Sequence, residues 1–128
     1  VLAFGLWTSA LASIPAGERI AACVICSASA RFSENIAAFF GEYPWEVGMS
    51  KGWVDDYELY DLFIAFLCTL ITIIFAPLHF IVSVISASLF GYLAAAYMNK
   101  KLGGVNGDVM GACAVASEVL SLILWVIL

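Results

Sequence analysis

Charge is what this sequence has least of. Five lysines and arginines and ten aspartates and glutamates are all it carries in 128 residues, for a net charge of −5. Without a basic stripe to neutralise phosphates, nucleic acid is disfavoured as a partner. Histidine occurs once, at His79. Cys23 and Cys26 form a CxxC, yet no second CxxC exists, and one histidine cannot complete a zinc site. Inside an apolar helix the pair reads as small packing residues. Polar and apolar residues do not alternate over the roughly 10 positions that a membrane strand needs. Segments such as Phe63–Phe75 are apolar on every side.

What the chain has in excess is hydrocarbon. It is 64% hydrophobic and 12% charged, with a mean hydropathy of +1.04. Soluble domains hold about 45–50% apolar and about 25% charged residues. A protein this small leaves much of its surface exposed, so the excess has no core to hide in. The composition therefore predicts an all-α, polytopic transmembrane helical bundle, a single membrane-embedded domain over residues 1–128, with the lipid bilayer as its solvent. Apolar helical sequence begins at once, with no charged n-region and no secretory cleavage site. Val1–Ser13 reads as the tail of a truncated helix, and the chain as the C-terminal part of a longer protein.

Five helical segments are predicted, a membrane span needing about 20 mostly apolar residues. They are Val1–Ser13, Arg19 to about Phe40, Leu59–Ala76, Leu78–Met98 and Asp108–Leu128. Pro15-Ala16-Gly17 ends the first. Pro77 splits the long apolar run, because proline removes a backbone donor and clashes with the preceding turn, so a hairpin is expected at Ala76–His79. If the helices alternate in direction, Lys51, Lys100 and Lys101 share one side and Arg19 faces the other. The positive-inside rule then puts the first three in the cytoplasm of a multi-pass inner-membrane protein. The same alternation brings the acidic loop Gly41–Tyr60 to the side of the glycine-rich segment after Lys101. The aromatics of that loop, Tyr43, Trp45, Trp53 and Tyr57, read as an interfacial belt.

The glycine-rich segment, Leu102-Gly103-Gly104-Val105-Asn106-Gly107-Asp108, carries the strongest hint of chemistry. Gly103, Gly104 and Gly107 permit unusual φ values and close approach of a ligand to the backbone, and Asn106 tolerates the left-handed region. Asp108 reads either as the N-cap of the last helix or as a ligand for a divalent metal that also holds substrate phosphate, the usual habit of Mg²⁺. Further along, Gly107, Gly111, Ala114 and Glu118 form one helical stripe. Small residues there allow a neighbouring helix to approach and turn Glu118 into the bundle. An ionisable group in a membrane segment is a functional candidate; the plain alternative is a structural hydrogen bond, with Arg31 as a possible donor. Arg31 pairs locally with Glu34 three residues on or clamps a phosphate oxygen.

The stretch Leu102–Leu128 resembles the C-terminal end of the adenosylcobinamide-GDP ribazoletransferases, or cobalamin-5′-phosphate synthases. Leu102, Gly103, Gly104, Gly107, Asp108, Gly111 and Ala112 match that family's Leu-Gly-Gly-x-x-Gly-Asp-x-x-Gly-Ala pattern, followed by an acid in an apolar helix, here Glu118. Arg31 and Glu46-Val47-Gly48-Met49 resemble an upstream arginine and Glu-Gly loop. The resemblance implies a membrane enzyme of cobalamin biosynthesis that joins adenosylcobinamide-GDP to α-ribazole or its 5′-phosphate and releases GMP. It implies Mg²⁺ as cofactor and nucleotide-linked corrinoid and ribazole as substrates. Asp108 would be the metal or diphosphate contact and Glu118 a buried supporting or proton-handling acid. Arg31, Gly103, Gly104, Asn106 and Gly107 would be substrate contacts. The aspartate-rich motif of that family's N-terminal half has no counterpart here, so the chain by itself is expected to be inactive. Two other readings stand beside this one: a CDP-alcohol-type membrane phosphotransferase, whose dense aspartate signature is absent, and a non-enzymatic transport or assembly subunit.

Overall fold

A computed structural model describes all 128 residues. The chain is all-helical: α1 (Leu2–Ser13), α2 (Arg19–Phe40), α3 (Lys51–Asp55), α4 (Leu59–Leu70), α5 (Pro77–Leu102) and α6 (Gly107–Ile127). A 3₁₀ turn, Ile71–Ile74, follows α4. Each helix ends for a local reason. Arg19 folds back on α1, its Nε donating to the Ile14 carbonyl at 3.0 Å and its Nη2 to the Ala12 carbonyl at 3.0 Å. Orphan carbonyls at a helix C-terminus are thereby satisfied. Pro77 occupies the first turn of α5, where its missing N–H costs nothing. At the far end of α5, Lys100 and Lys101 lie in the last turn and complement the helix dipole.

Four differences from the sequence-based expectations stand out. The acidic loop contains α3, a five-residue helix too short to show a hydrophobic period. The third expected span stops as an α-helix at Leu70 and tightens into the 3₁₀ turn, where Thr72 Oγ1 donates to the Thr69 carbonyl at 2.8 Å. α5 runs past its expected end at Met98, through Lys100, Lys101 and Leu102, so the glycine loop begins only at Gly103. There are thus six α-helices where five were expected.

The long helices alternate in direction in chain order, so that packed neighbours are antiparallel in some seams and parallel in others. α2 runs antiparallel to α6, with the Ser33 and Ser117 hydroxyls 2.8 Å apart in the middle of the seam, Glu18 meeting Trp125 at one end and Ala37, Ala38, Val109 and Cys113 sharing one core at the other. α1 lies along α6 in the same direction, from Trp7 beside Glu118 to Ala10 and Ile14 beside Leu122 and Trp125. α5 packs parallel to α2. Its Gly91 lies so close that an added Cβ would stand 2.5 Å from the Ser33 carbonyl oxygen.

These seams are built from small residues. Ala22, Cys26, Ser29, Ala30, Ser33, Ala37, Ser83, Ala87, Ala95 and Ser117 are all buried. Phe80 of α5 is buried, but Leu78, Ile81, Ile85, Leu89 and Leu93 point outward and are exposed. This reverses the amphipathic pattern of a helix packed in water. α5 and α6 are each long and apolar enough to cross a membrane.

Candidate functional site at the glycine hinge

The site begins where α5 stops. Gly103 adopts φ 76° and Gly104 φ 155°, and both N–H groups reach back to the Met98 carbonyl. This is a Schellman-type ending, and it requires a left-handed residue after the helix. The chain then turns towards the acidic loop. Val105 N–H donates to the Glu42 carbonyl at 2.7 Å. Asn99 reinforces the junction: its Nδ2 donates to the Phe40 carbonyl at 3.0 Å, and its Oδ1 accepts from the Glu42 N–H at 3.2 Å. The packing is tight, since a Cβ on Gly104 would lie 2.0 Å from the Glu42 carbonyl oxygen. The two loops expected on one side are thus joined directly.

Asn106, not Asp108, caps α6. It is extended, at φ −126°, and its Oδ1 accepts from the Val109 N–H at 2.9 Å. The left-handed conformation considered for Asn106 and the unusual φ considered for Gly107 are therefore absent; positive φ is confined to Gly103 and Gly104. The capping role considered for Asp108 falls away as well. Asp108 stands in the first turn of α6, exposed, and its carboxylate makes no hydrogen bond within the fold. A carboxylate in that turn is favoured by the helix dipole.

A cavity of about 310 Å³, lined by Glu34, Met49, Ser50, Trp53, Gly107, Met110 and Gly111, opens on another face of the same turn; Asp108 is not part of its lining. The small-residue stripe of α6 has two different neighbours here. A Cβ on Gly107 would meet Ser50 Oγ at 2.8 Å, whereas one on Gly111 would meet nothing within 4 Å. The close helix approach expected at Gly111 does not occur; Gly111 faces the cavity instead. A second cavity of about 370 Å³, between α2, α3 and α4, shares Trp53 with the first and is lined also by Asn35, Gly52, Asp56, Tyr57, Asp61, Ile64 and Ala65. Glu34, Asn35, Ser50, Asp56, Tyr57 and Asp61 were not singled out from the sequence as site residues. For Ser50, Asp56 and Tyr57 the mixing of acids and aromatics in Gly41–Tyr60 was the available signal, its aromatics read there as an interfacial belt; Glu34, Asn35 and Asp61 lie outside that loop.

Arg31 lines neither cavity; it borders a third, smaller one of about 210 Å³ together with Asn35 and Ala65. Its Nη1 pairs with Glu34 Oε1 at 2.9 Å, and its side chain is 73% exposed. So exposed a pair adds little stability, but it links Arg31 to a residue of the first cavity. Glu118 is elsewhere. Its Oε1 accepts from Trp7 Nε1 at 3.1 Å and Ser27 Oγ at 2.8 Å, so Arg31 is not its donor, as one alternative had it. Ten residues along α6 put Glu118 about 15 Å from Asp108, and the two do not share a site.

Nowhere in the chain do three His, Cys, Asp or Glu side chains come together as a metal cage. All four cysteines are free, with Cys26 buried and Cys23 partly so, as expected for packing residues. The donor set fits only an ion completed from outside. Mg²⁺ does bind through one or two carboxylates together with phosphate oxygens and water, and Asp108 offers one such carboxylate.

Comparison with known proteins bears on what this arrangement serves. A family model described as cobalamin-5-phosphate synthase matches residues 1–126. The adenosylcobinamide-GDP ribazoletransferase of Thermosipho melanesiensis is 30% identical over 105 residues, covering 81% of this chain and 44% of that protein. The Clostridium kluyveri enzyme of the same name is 30% identical over 105 residues, 79% of this chain and 42% of its own. That of Kosmotoga olearia is 34% identical over 88 residues, 69% and 37%. The chain thus spans less than half the length of the curated relatives it matches. No solved structure matches it.

Proposed function

Because the chain belongs to the cobalamin-5-phosphate synthase family, we propose that it forms part of a multi-pass membrane transferase acting on a GDP-linked corrinoid. The family match favours this over the CDP-alcohol phosphotransferase and transport readings. In the reaction, a hydroxyl oxygen of α-ribazole, or of α-ribazole 5′-phosphate, attacks the phosphorus that bears the corrinoid and gives up its proton. The bond between the two phosphates of the diphosphate breaks, and GMP leaves with the bridging oxygen. The rest of the site would come from parts of the longer protein beyond these residues.

The observation that carries this reading is the hinge. Val105 N–H bonded to the Glu42 carbonyl at 2.7 Å fixes where α6 begins, and hence where its first-turn N–H groups and Asp108 stand. Such a terminus favours phosphate oxygens through its oriented N–H groups and dipole. Phosphoryl transfer needs positioning and charge stabilisation more than covalent help from the protein. Asp108 would hold Mg²⁺ together with the diphosphate, the ion supplying charge neutralisation when bound. Glu34 lines the adjoining cavity, and a negative phosphate would settle beside it more readily with a cation present. Arg31 carries a planar donor fork suited to a phosphate oxygen. Glu118, held by α1 and α2, supports the bundle.

Membrane embedding rests on the reversed pattern of α5, with small residues inside and large apolar residues outside. In lipid, close packing of small residues is what drives helices together. On this reading the hinge and the acidic loop lie together at the cytoplasmic face of the inner membrane.

The test is GMP release by the full-length protein reconstituted in lipid. Asp108→Ala is expected to lower turnover about a hundredfold, the scale of losing one electrostatic stabiliser, with only the loss of about 0.3–1 kcal/mol of helix-dipole interaction in stability, because the side chain is exposed and makes no hydrogen bond in the fold. Unchanged turnover would remove Asp108 from the reaction.

A further inference from the structure

The cavity between α2, α3 and α4 offers open carboxylate acceptors, and the Trp53 indole N–H is the one lining side-chain donor without any partner. Tyr57 Oη already donates to Asn35 Oδ1, and Asn35 Nδ2 donates to the Arg31 carbonyl at 2.7 Å. Burial, with Asp61 adding to it, pushes the Tyr57 hydroxyl up to about 12, so it stays a donor and stays engaged. Two carboxylates remain. Asp61 Oδ2 accepts from the Glu58 N–H at 3.0 Å, leaving its other oxygen open. Asp56 has no hydrogen-bond partner, and its Oδ2 lies over Gly52, 3.5 Å from where a Cβ would stand. The nearby Lys51 is occupied with Asp55. The walls are an aromatic ring, Trp53, and the apolar Ile64 and Ala65.

Such a lining repels phosphate. It suits a flat, uncharged group with apolar faces and adjacent N–H donors on one edge. At about 370 Å³ the cavity takes one heterocycle with its sugar and is far too small for a corrinoid. The ribazole base has no N–H donor to offer. Guanine has two side by side, N1–H and the N2 amine, spaced for the two oxygens of one carboxylate.

We infer that this cavity receives the guanine of the GDP-linked substrate, with Trp53 against the base and Asp56, assisted by Asp61, accepting from its N1–H and N2 amine. The inference rests on the transferase reading and names the base subsite of that site. Placement supports it. Trp53 also lines the cavity that holds Gly107 and Gly111, so a base seated here directs its diphosphate towards the first turn of α6. Base stacking on an aromatic ring is worth about 1–3 kcal/mol but does not discriminate among bases. Discrimination falls to the carboxylates, since a site built to hydrogen-bond a donor strongly rejects an analogue lacking it.

The experiment measures equilibrium binding of GMP, IMP and AMP to the full-length protein in lipid nanodiscs, in parallel with GMP release during turnover. GMP is expected to bind at least tenfold more tightly than IMP, which lacks the N2 amine, and AMP more weakly still. Asp56→Asn is expected to abolish that order, and Trp53→Ala to weaken all three alike. Equal affinity for GMP and AMP would overturn the inference. So would an order that survives in both Asp56→Asn and Asp61→Asn, and so would loss of Mn²⁺ binding in Asp56→Asn with the base preference intact, which would make this a cation site. In each of these cases persisting GMP release would leave the transferase reading standing; absence of GMP release from the unaltered full-length protein would overturn both.

Discussion

The backbone N–H of Val105 donates to the carbonyl of Glu42 across 2.7 Å, and this bond joins two loops far apart in sequence into one surface. Gly104 makes the approach possible. Gly104→Ala would bring a Cβ to 2.0 Å from the Glu42 carbonyl oxygen at φ 155°, whereas Gly103→Ala would meet nothing within 4 Å and would feel only its φ of 76°. A left-handed non-glycine residue costs about 1–2 kcal/mol. Gly103→Ala should lose about that much, and Gly104→Ala distinctly more, with turnover falling because α6 no longer starts in place. Thermal melting of the two variants in detergent checks this; equal melting temperatures would contradict the role given to the close approach.

Glu118 ties together three helices through one oxygen, Oε1, which accepts from Trp7 and Ser27. Glu118→Ala leaves both donors unpaired and should destabilise the protein by about 1–3 kcal/mol. Glu118→Gln keeps a carbonyl acceptor and should melt close to the native protein with turnover preserved. A collapse of turnover in the glutamine variant at unchanged melting temperature would instead make Glu118 a proton-handling acid.

Tyr57 sets a pH dependence at the alkaline end. Its ionisation is raised from 10.0 to about 12, chiefly by burial and then by Asp61. Between those values the unfolded chain has lost a proton that the folded chain retains, so stability falls as pH rises through that window. The contribution is fully present below pH 10. Ultraviolet titration of phenolate absorbance should show one of the five tyrosines ionising late, and Tyr57→Phe should remove that late step. A native titration identical to that of the variant would contradict the assignment.

Leu89 is 57% exposed on the outer face of α5. In lipid, Leu89→Arg puts a charge in the hydrocarbon at about 2.5–3.5 kcal/mol for a central helix position. In water the same change at a surface position would fall within about 0.5 kcal/mol. The variant is expected to lose membrane integration, read by carbonate extraction of cell membranes. Recovery in the soluble fraction of the unaltered protein, folded and helical, would defeat the membrane reading.

The sequence by itself determined five of the six helices and most of their ends; α3 is too short to carry a period. Each depends on a few neighbouring residues: apolar runs for existence and Pro77 for the break before α5, whereas its left-handed stop falls at Gly103 and not at the expected Met98. The glycine and aspartate spacing also marked the family, because the motif is contiguous. Where local signals competed, the structure chose. Asn106 took the cap and left Asp108 free, since only one side chain reaches the Val109 N–H. The rest was decided by tertiary contact alone. That Glu118 meets Trp7 and Ser27 rather than Arg31 depends on how three helices cross. That Trp53 stands between Gly107 and Asp61 depends on α3 being folded under the hinge. No period or motif encodes such meetings, because their partners are brought together only when small residues let the seams close.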